Sequence, residues 1–219
     1  MHYELIYSLA SFLLAAFAFG FGAIKLFKKK KPLYLQLLVC AVGCFAIRQL
    51  SSVVNQWCGV AESASIGMVG IFGCNAFLLS ANFGTLDKIV DDGGNSARAR
   101  VGALIAPAVM AALTAAAFLV WRGRDPFCAA MWLVMLLPAL PASYFNLKHI
   151  LLPMDPFEFL RATRPCNFAA MVFYAVTAVY VIGSASAGGA ASGVLSVLMS
   201  LSTLALAASA VRGAKQWGI

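Results

Sequence analysis

Charge is what this chain has least of. Its 219 residues include 8 Asp and Glu, 16 Lys and Arg and 2 His, so charged side chains make up only 11% of it. Soluble domains carry about a quarter charged residues, which excludes a single water-soluble core. No acid and no lysine lies deep inside an apolar run, so neither a paired embedded carboxylate nor a Schiff-base lysine for retinal is available. His2 and His149 sit at the edges of apolar runs, away from where an embedded haem would need an axial ligand. No Ser/His/Asp arrangement is present either. Nucleophilic and acid/base catalysis therefore have no team of residues, and the expectation is a protein that is not an enzyme, with no metal and no cofactor.

Other absences narrow the class further. Alternating ten-residue segments, the mark of a membrane barrel, are missing. No basic stretch precedes the first apolar run, as it would in a cleaved signal peptide; Glu4 comes before it and Lys28 to Lys31 after it. The net charge of +8 lacks the basic and aromatic interleaving of a nucleic-acid surface, so nucleic acid is excluded as a partner. The six cysteines supply no metal framework: Cys40 and Cys44 are spaced i, i+4 with no second pair or histidine cluster. Cys58 and Cys128 fall on the same side and are the pair placed for a disulfide, although small buried packing residues is the preferred reading of both.

What the chain has in abundance is apolar length. It is 62% hydrophobic, with a mean hydropathy of +0.88, in runs of roughly twenty residues, the length that crosses ~30 Å of hydrocarbon as a helix. Seven runs are read as spans, at about 3–27, 33–57, 64–86, 101–121, 126–147, 165–183 and 189–211. The expected fold class is an all-α polytopic integral membrane protein, a single transmembrane domain over 1–219 with no soluble domain. With the N-terminus outside and the C-terminus cytoplasmic, Lys25, Lys28 to Lys31, Lys88, Arg98, Arg100, Lys148, Arg161, Arg164, Arg212 and Lys215 lie inside, against Arg122 and Arg124 outside. The positive-inside rule requires far less bias than that. The basic loops also suit anionic lipid headgroups, and the Ala-rich spans suit a bacterial cytoplasmic membrane.

Three local patterns carry no chemistry of their own. Asp91, Asp92 and Gly93 followed by Ala97 and Arg98 suggest an aspartate-rich metal signature, but the next helix has no acid; a polar turn fits. Asp155, Pro156 and Glu158 form a capping box with Pro at the first helical position, opening either a short surface helix or an early start of span six that bends at Pro165. In span seven, Gly189, Gly193, Ser196, Ser200, Thr203 and Ala207 share one face. Small residues let helices approach closely in lipid; packing inside the molecule is preferred to a homodimer seam.

Arg48 is the one charge read as lying deep in a span, ~13 Å below the outer boundary when counted from Trp57. A charge there costs from about 3 kcal/mol upward unless it meets water, a partner or the interface. Snorkelling toward Glu4, Glu62 or lipid phosphate, structural hydrogen bonding and ligand binding all compete. Cys44, Ser51, Ser52 and Asn55 lie on the same side of its helix, Asn75 stands at similar depth on span three, and Asn167, Tyr174 and Thr177 share a face of span six. Span five breaks at Pro138 and Pro141. Freed backbone in lipid survives only against protein or cavity water, and broken helices build many transporter sites. The expectation is a polar cavity of Arg48, Ser52, Asn55, Asn75, Tyr174 and Thr177 binding, and translocating, a small anionic or zwitterionic solute. The alternative is a seven-helix sensor or accessory subunit acting through a cytoplasmic protein partner.

Overall fold

Peptide groups in hydrocarbon have no water to bond to, so a chain this apolar must satisfy them within helices. A computed structural model describes residues 2–27, 31–59, 66–87, 97–153, 159–186 and 189–216, and among these the regular structure is all helical. Helices α1 (His2–Leu26) and α2 (Leu33–Trp57) are followed by α3 (Ile66–Leu79), which continues as a π-helical segment, Ser80–Leu86. Next come α4 (Ala97–Ala103) and α5 (Ile105–Arg122), then α6 (Pro126–Leu136) and α7 (Ala139–Leu151), and finally α8 (Phe159–Ser186) and α9 (Gly189–Gln216). α4 with α5, and α6 with α7, each compose one span, giving seven helices long and apolar enough to cross a membrane.

Several boundaries move outward from the sequence reading. Span four starts at Ala97, span six runs from Phe159 to Ser186 and span seven reaches Gln216. Span five extends to Leu151, which turns Lys148 and His149 from loop residues into buried helical ones. Pro165 lies inside α8, so span six does begin early. Asp155 to Glu158 fall outside the described residues, as do Glu62, Lys28 to Lys30, Lys88, Asp91, Asp92 and Gly93.

Local chemistry explains several ends. Asp125 caps α6 by accepting from Phe127 N and Cys128 N, both at 3.0 Å, with Pro126 in the first turn. Gly59 follows α2 at φ +68, the left-handed geometry that ends many helices. Span five breaks at Leu137 and Pro138, while Pro141 falls in the first turn of α7, where its missing N–H has no helical partner to lose.

α1 packs on α2 and α9, α2 also on α3 and α9, α3 on α6 and α7, α5 on α6, α7 and α8, and α8 on α9. The spans thus close into a ring. Those of α1 and of α4–α5 are 28% buried against 44–50% for the others, which puts these two on the periphery. Through the middle, α2 meets α8 at three levels. Tyr34 Oη donates to Asn167 Oδ1 (3.0 Å), Phe45 sets its ring edge-on to Phe173 (5.3 Å), and Arg48 reaches Tyr180.

The small face of α9 is packed internally. A Cβ on Gly193 would lie 2.6 Å from the Tyr7 ring of α1. Thr203 and Ala207 are buried, and Ser196 and Ser200 bond to Gln49.

Candidate functional site

Arg48 is placed by a close helix contact. A Cβ on Gly70 would lie 2.6 Å from the Cys44 carbonyl and 2.8 Å from Arg48 Cβ, so α3 touches the α2 backbone only because position 70 is glycine. The guanidinium then turns into the bundle, with Arg48 only 6% exposed. Nη1 donates to Gln49 Oε1 (2.9 Å) and Nη2 to Tyr180 Oη (2.7 Å), and Cζ stands 4.9 Å from the Tyr180 ring centroid. Gln49 is itself held by α9: Oε1 accepts from Ser196 (3.3 Å) and Nε2 donates to Ser200 (3.4 Å).

Arg48 and Ser52 form part of the wall of a cavity of about 280 Å³, together with Gly67 and Met68 of α3, Trp121 of α5, Cys128 and Trp132 of α6, Tyr180 and Ser184 of α8, and Ser192 of α9. That is just under the ~300–1,000 Å³ usual for small-ligand sites. Six of the seven spans contribute, all at the end of the bundle that carries Trp57. Trp121 Nε1 is committed to the Val181 carbonyl (2.8 Å), tying α5 to α8. Trp132 is buried, and its Nε1–H has no partner among the described residues. A buried donor of that kind costs about 1–3 kcal/mol if nothing ever meets it.

The sequence-predicted set separates in three dimensions. Arg48 and Ser52 line the cavity; Asn55, nearer the end of α2, has a buried Nδ2 without a partner among the described residues. Asn75 is not part of the wall. It donates to the Met135 carbonyl (2.9 Å), just before the break in span five, and so serves the disrupted backbone. Tyr174 Oη accepts from Asn146 (3.3 Å), and Thr177 Oγ1 donates to its own helix at Phe173 (2.8 Å). Both lie deeper than the cavity, because Tyr180, one step further along the same row of α8, is the residue level with Arg48. Tyr180, Trp121 and Trp132 were hidden by counting as ordinary apolar bulk; Gln49, a second polar residue beside Arg48, was the available signal.

A second polar cluster occupies the other end of the bundle. Lys148 Nζ donates to Asp87 Oδ1 (2.7 Å), and His149 bridges Asn82 and the same Asp87 oxygen. Burial pushes the Asp87 carboxyl up, but its bonds to His149 and Lys148 outweigh that and hold it below the ordinary value. Among the described residues no His, Cys, Asp and Glu group is arranged to hold a metal. Cys58 is exposed and Cys128 buried, and the two are not joined in a disulfide.

Fold and site together define a seven-helix membrane bundle with a polar, Arg-containing cavity at one end. No family model matches the chain, and no curated protein or solved structure matches it either.

Proposed function

We propose that the Arg48 cavity binds a small anionic or zwitterionic solute and that the bundle carries it across the membrane, with the Trp57 end facing out and the C-terminus in the cytoplasm. The observation that carries this reading is a guanidinium on a cavity wall shared by six spans, with the Ser52 and Tyr180 hydroxyls and the Trp132 indole, whose N–H has no partner among the described residues, on the same wall. Such a surface offers hydrogen bonds to a carboxylate or phosphate and little to a cation. Support for movement comes from span five, which breaks close beneath the cavity (Trp132 lines it, Met135 meets Asn75) and so supplies the discontinuous helix that alternating access commonly uses.

The test is a thermal melt of purified protein against anionic and neutral small solutes, for wild type and Arg48→Gln. Anions should raise the wild-type melting temperature and leave the variant unmoved. If anions stabilise neither, and the variant merely melts earlier, Arg48 is structural and the reading fails. The sensor or accessory-subunit reading has one observation in its favour: Tyr180 and Gln49 already hold the guanidinium in a fixed arrangement. Solute flux into sealed vesicles supports the carrier; binding without flux supports the sensor.

A further inference from the structure

The cluster at the Lys148 end sets one imidazole between two side-chain oxygens. Asn82 Nδ2 donates to the Leu78 carbonyl (3.2 Å), which fixes the amide and leaves Oδ1 facing His149 Nδ1 at 3.1 Å. On the other side of the ring, Nε2 is 3.3 Å from Asp87 Oδ1. Both partners are acceptors, and a neutral imidazole has only one N–H to offer. Making both contacts therefore takes one proton more than a neutral ring and a carboxylate possess. We infer that His149 and Asp87 form a proton-binding site, the ligand being H⁺ held on the Nε2–Oδ1 line while Nδ1–H stays on Asn82.

The backbone is shaped for this arrangement. Asn82 and Asp87 are five residues apart, too far round a turn of 3.6 residues to face one ring. In the π-helical segment Ser80–Leu86 the Asp87 N–H bonds back to the Asn82 carbonyl, so the wider turn puts both acceptors on the same side. Single π turns are frequent at functional sites. His149 is fully buried and packs beside the Phe145 ring, whereas the Asp87 side chain is 22% exposed, which opens an exchange route to water through the carboxylate. Among the described residues, Asp87, directly after the π-helical segment, and Lys148 of α7 are the charged groups beside the ring. Arg98 and Arg100 on α4, and Arg161 and Arg164 on α8, are further basic groups at this end.

Proton loss has a defined consequence. H⁺ leaves Nε2 for water, the ring keeps Nδ1–H on Asn82, and the Nε2 and Oδ1 lone pairs are left facing each other. One of the two ties from α7 to Asp87 is then repulsive. α7 is the half of span five beyond the Pro138 break, so the site governs how firmly that half-helix is held to α3. This inference is independent of how the Arg48 cavity is read.

The chain has only two histidines, so His2→Gln leaves His149 as the sole imidazole for ¹⁵N-histidine NMR of the full-length protein in detergent. Both ring nitrogens should carry protons at acid pH, giving way in one transition to the Nδ1–H form. Removing the carboxylate (Asp87→Asn) should lower the midpoint by about one pH unit or more, and removing the neighbouring cation (Lys148→Gln) should raise it. A ring that stays neutral from about pH 5 to 9, or a midpoint that Lys148→Gln leaves in place or lowers, overturns the proposal. The lysine variant carries this decision even where Asp87→Asn fails to fold.

Discussion

At Arg48 the cost of a charge in lipid is met by side chains of three helices. Tyr180 and Gln49 take the guanidinium, and Ser196 and Ser200 hold Gln49 in turn. Such a network rigidifies when satisfied, which is why Arg48→Gln should lower stability whether or not a ligand binds, and why only the anion-dependent part of the melt tests the site. Asp87 gives a different residue-scale prediction. Its carboxyl is held below the ordinary value of 3.8 by His149 and Lys148 against the effect of burial. A depressed carboxylate contributes stability that is complete above its unfolded pKa and is lost as pH falls through the folded one. The stability gap between wild type and Asp87→Asn should therefore, at pH values below the His149 transition, hold down to the ordinary carboxylate range and narrow below it, as read by melts across acid pH. A gap unchanged at the most acid pH would mean that the ion pair contributes nothing.

At the scale of the element, glycine placement decides which helices touch. Gly193 admits the Tyr7 ring and Gly70 admits the α2 backbone. Packing rather than hydrophobic drive joins helices in lipid, so a bulky side chain at such a seam costs directly. Gly193→Leu should destabilise the bundle by roughly 1–3 kcal/mol, the usual range for overpacking, without altering its oligomeric state. Unchanged stability with a lost dimer, seen by melts and light scattering, would reassign the stripe to an intermolecular seam. Span five shows how an element's defect is managed: Pro138 interrupts it, and Asn75 donates to the Met135 carbonyl beside the break. Both halves pack on α3 and α5, and Lys148 and His149 add polar ties from α7 to Asp87.

For the whole molecule, the charge asymmetry proposes an orientation and one cysteine can test it. Of the six cysteines only Cys58 is exposed; the others are buried or half-buried. A membrane-impermeant maleimide should label the wild type in sealed cells and spare Cys58→Ser. Labelling that requires permeabilised membranes would invert the proposed topology, and the cavity would then open to the cytoplasm. The bundle's surface fits the same picture: Phe17, Ile47, Val69, Leu119 and Phe168 all point outward, an arrangement that lipid accepts and water does not.

By itself the sequence determined the all-helical class, the seven membrane-length helices, the break at Pro138 and the placing of one charge, Arg48, deep in a span. Each of these rests on a quantity that runs along the chain: apolar length against bilayer thickness, the proline's missing donor, a charge's depth. Tertiary structure decided which polar groups meet. Depth counted along separate helices ignores rotation and the true start of each span, so Tyr174 and Thr177 looked level with Arg48 when Tyr180 is the residue that reaches it. The Asp87–Lys148–His149 cluster was hidden for a related reason. Its members stand 61 and 62 residues apart, Lys148 and His149 read as the start of a loop, and Asn82 and Asp87 share a side only because the helix between them widens into a π turn. Periodicity reports the regular helix; where the backbone departs from it, only the fold shows what faces what.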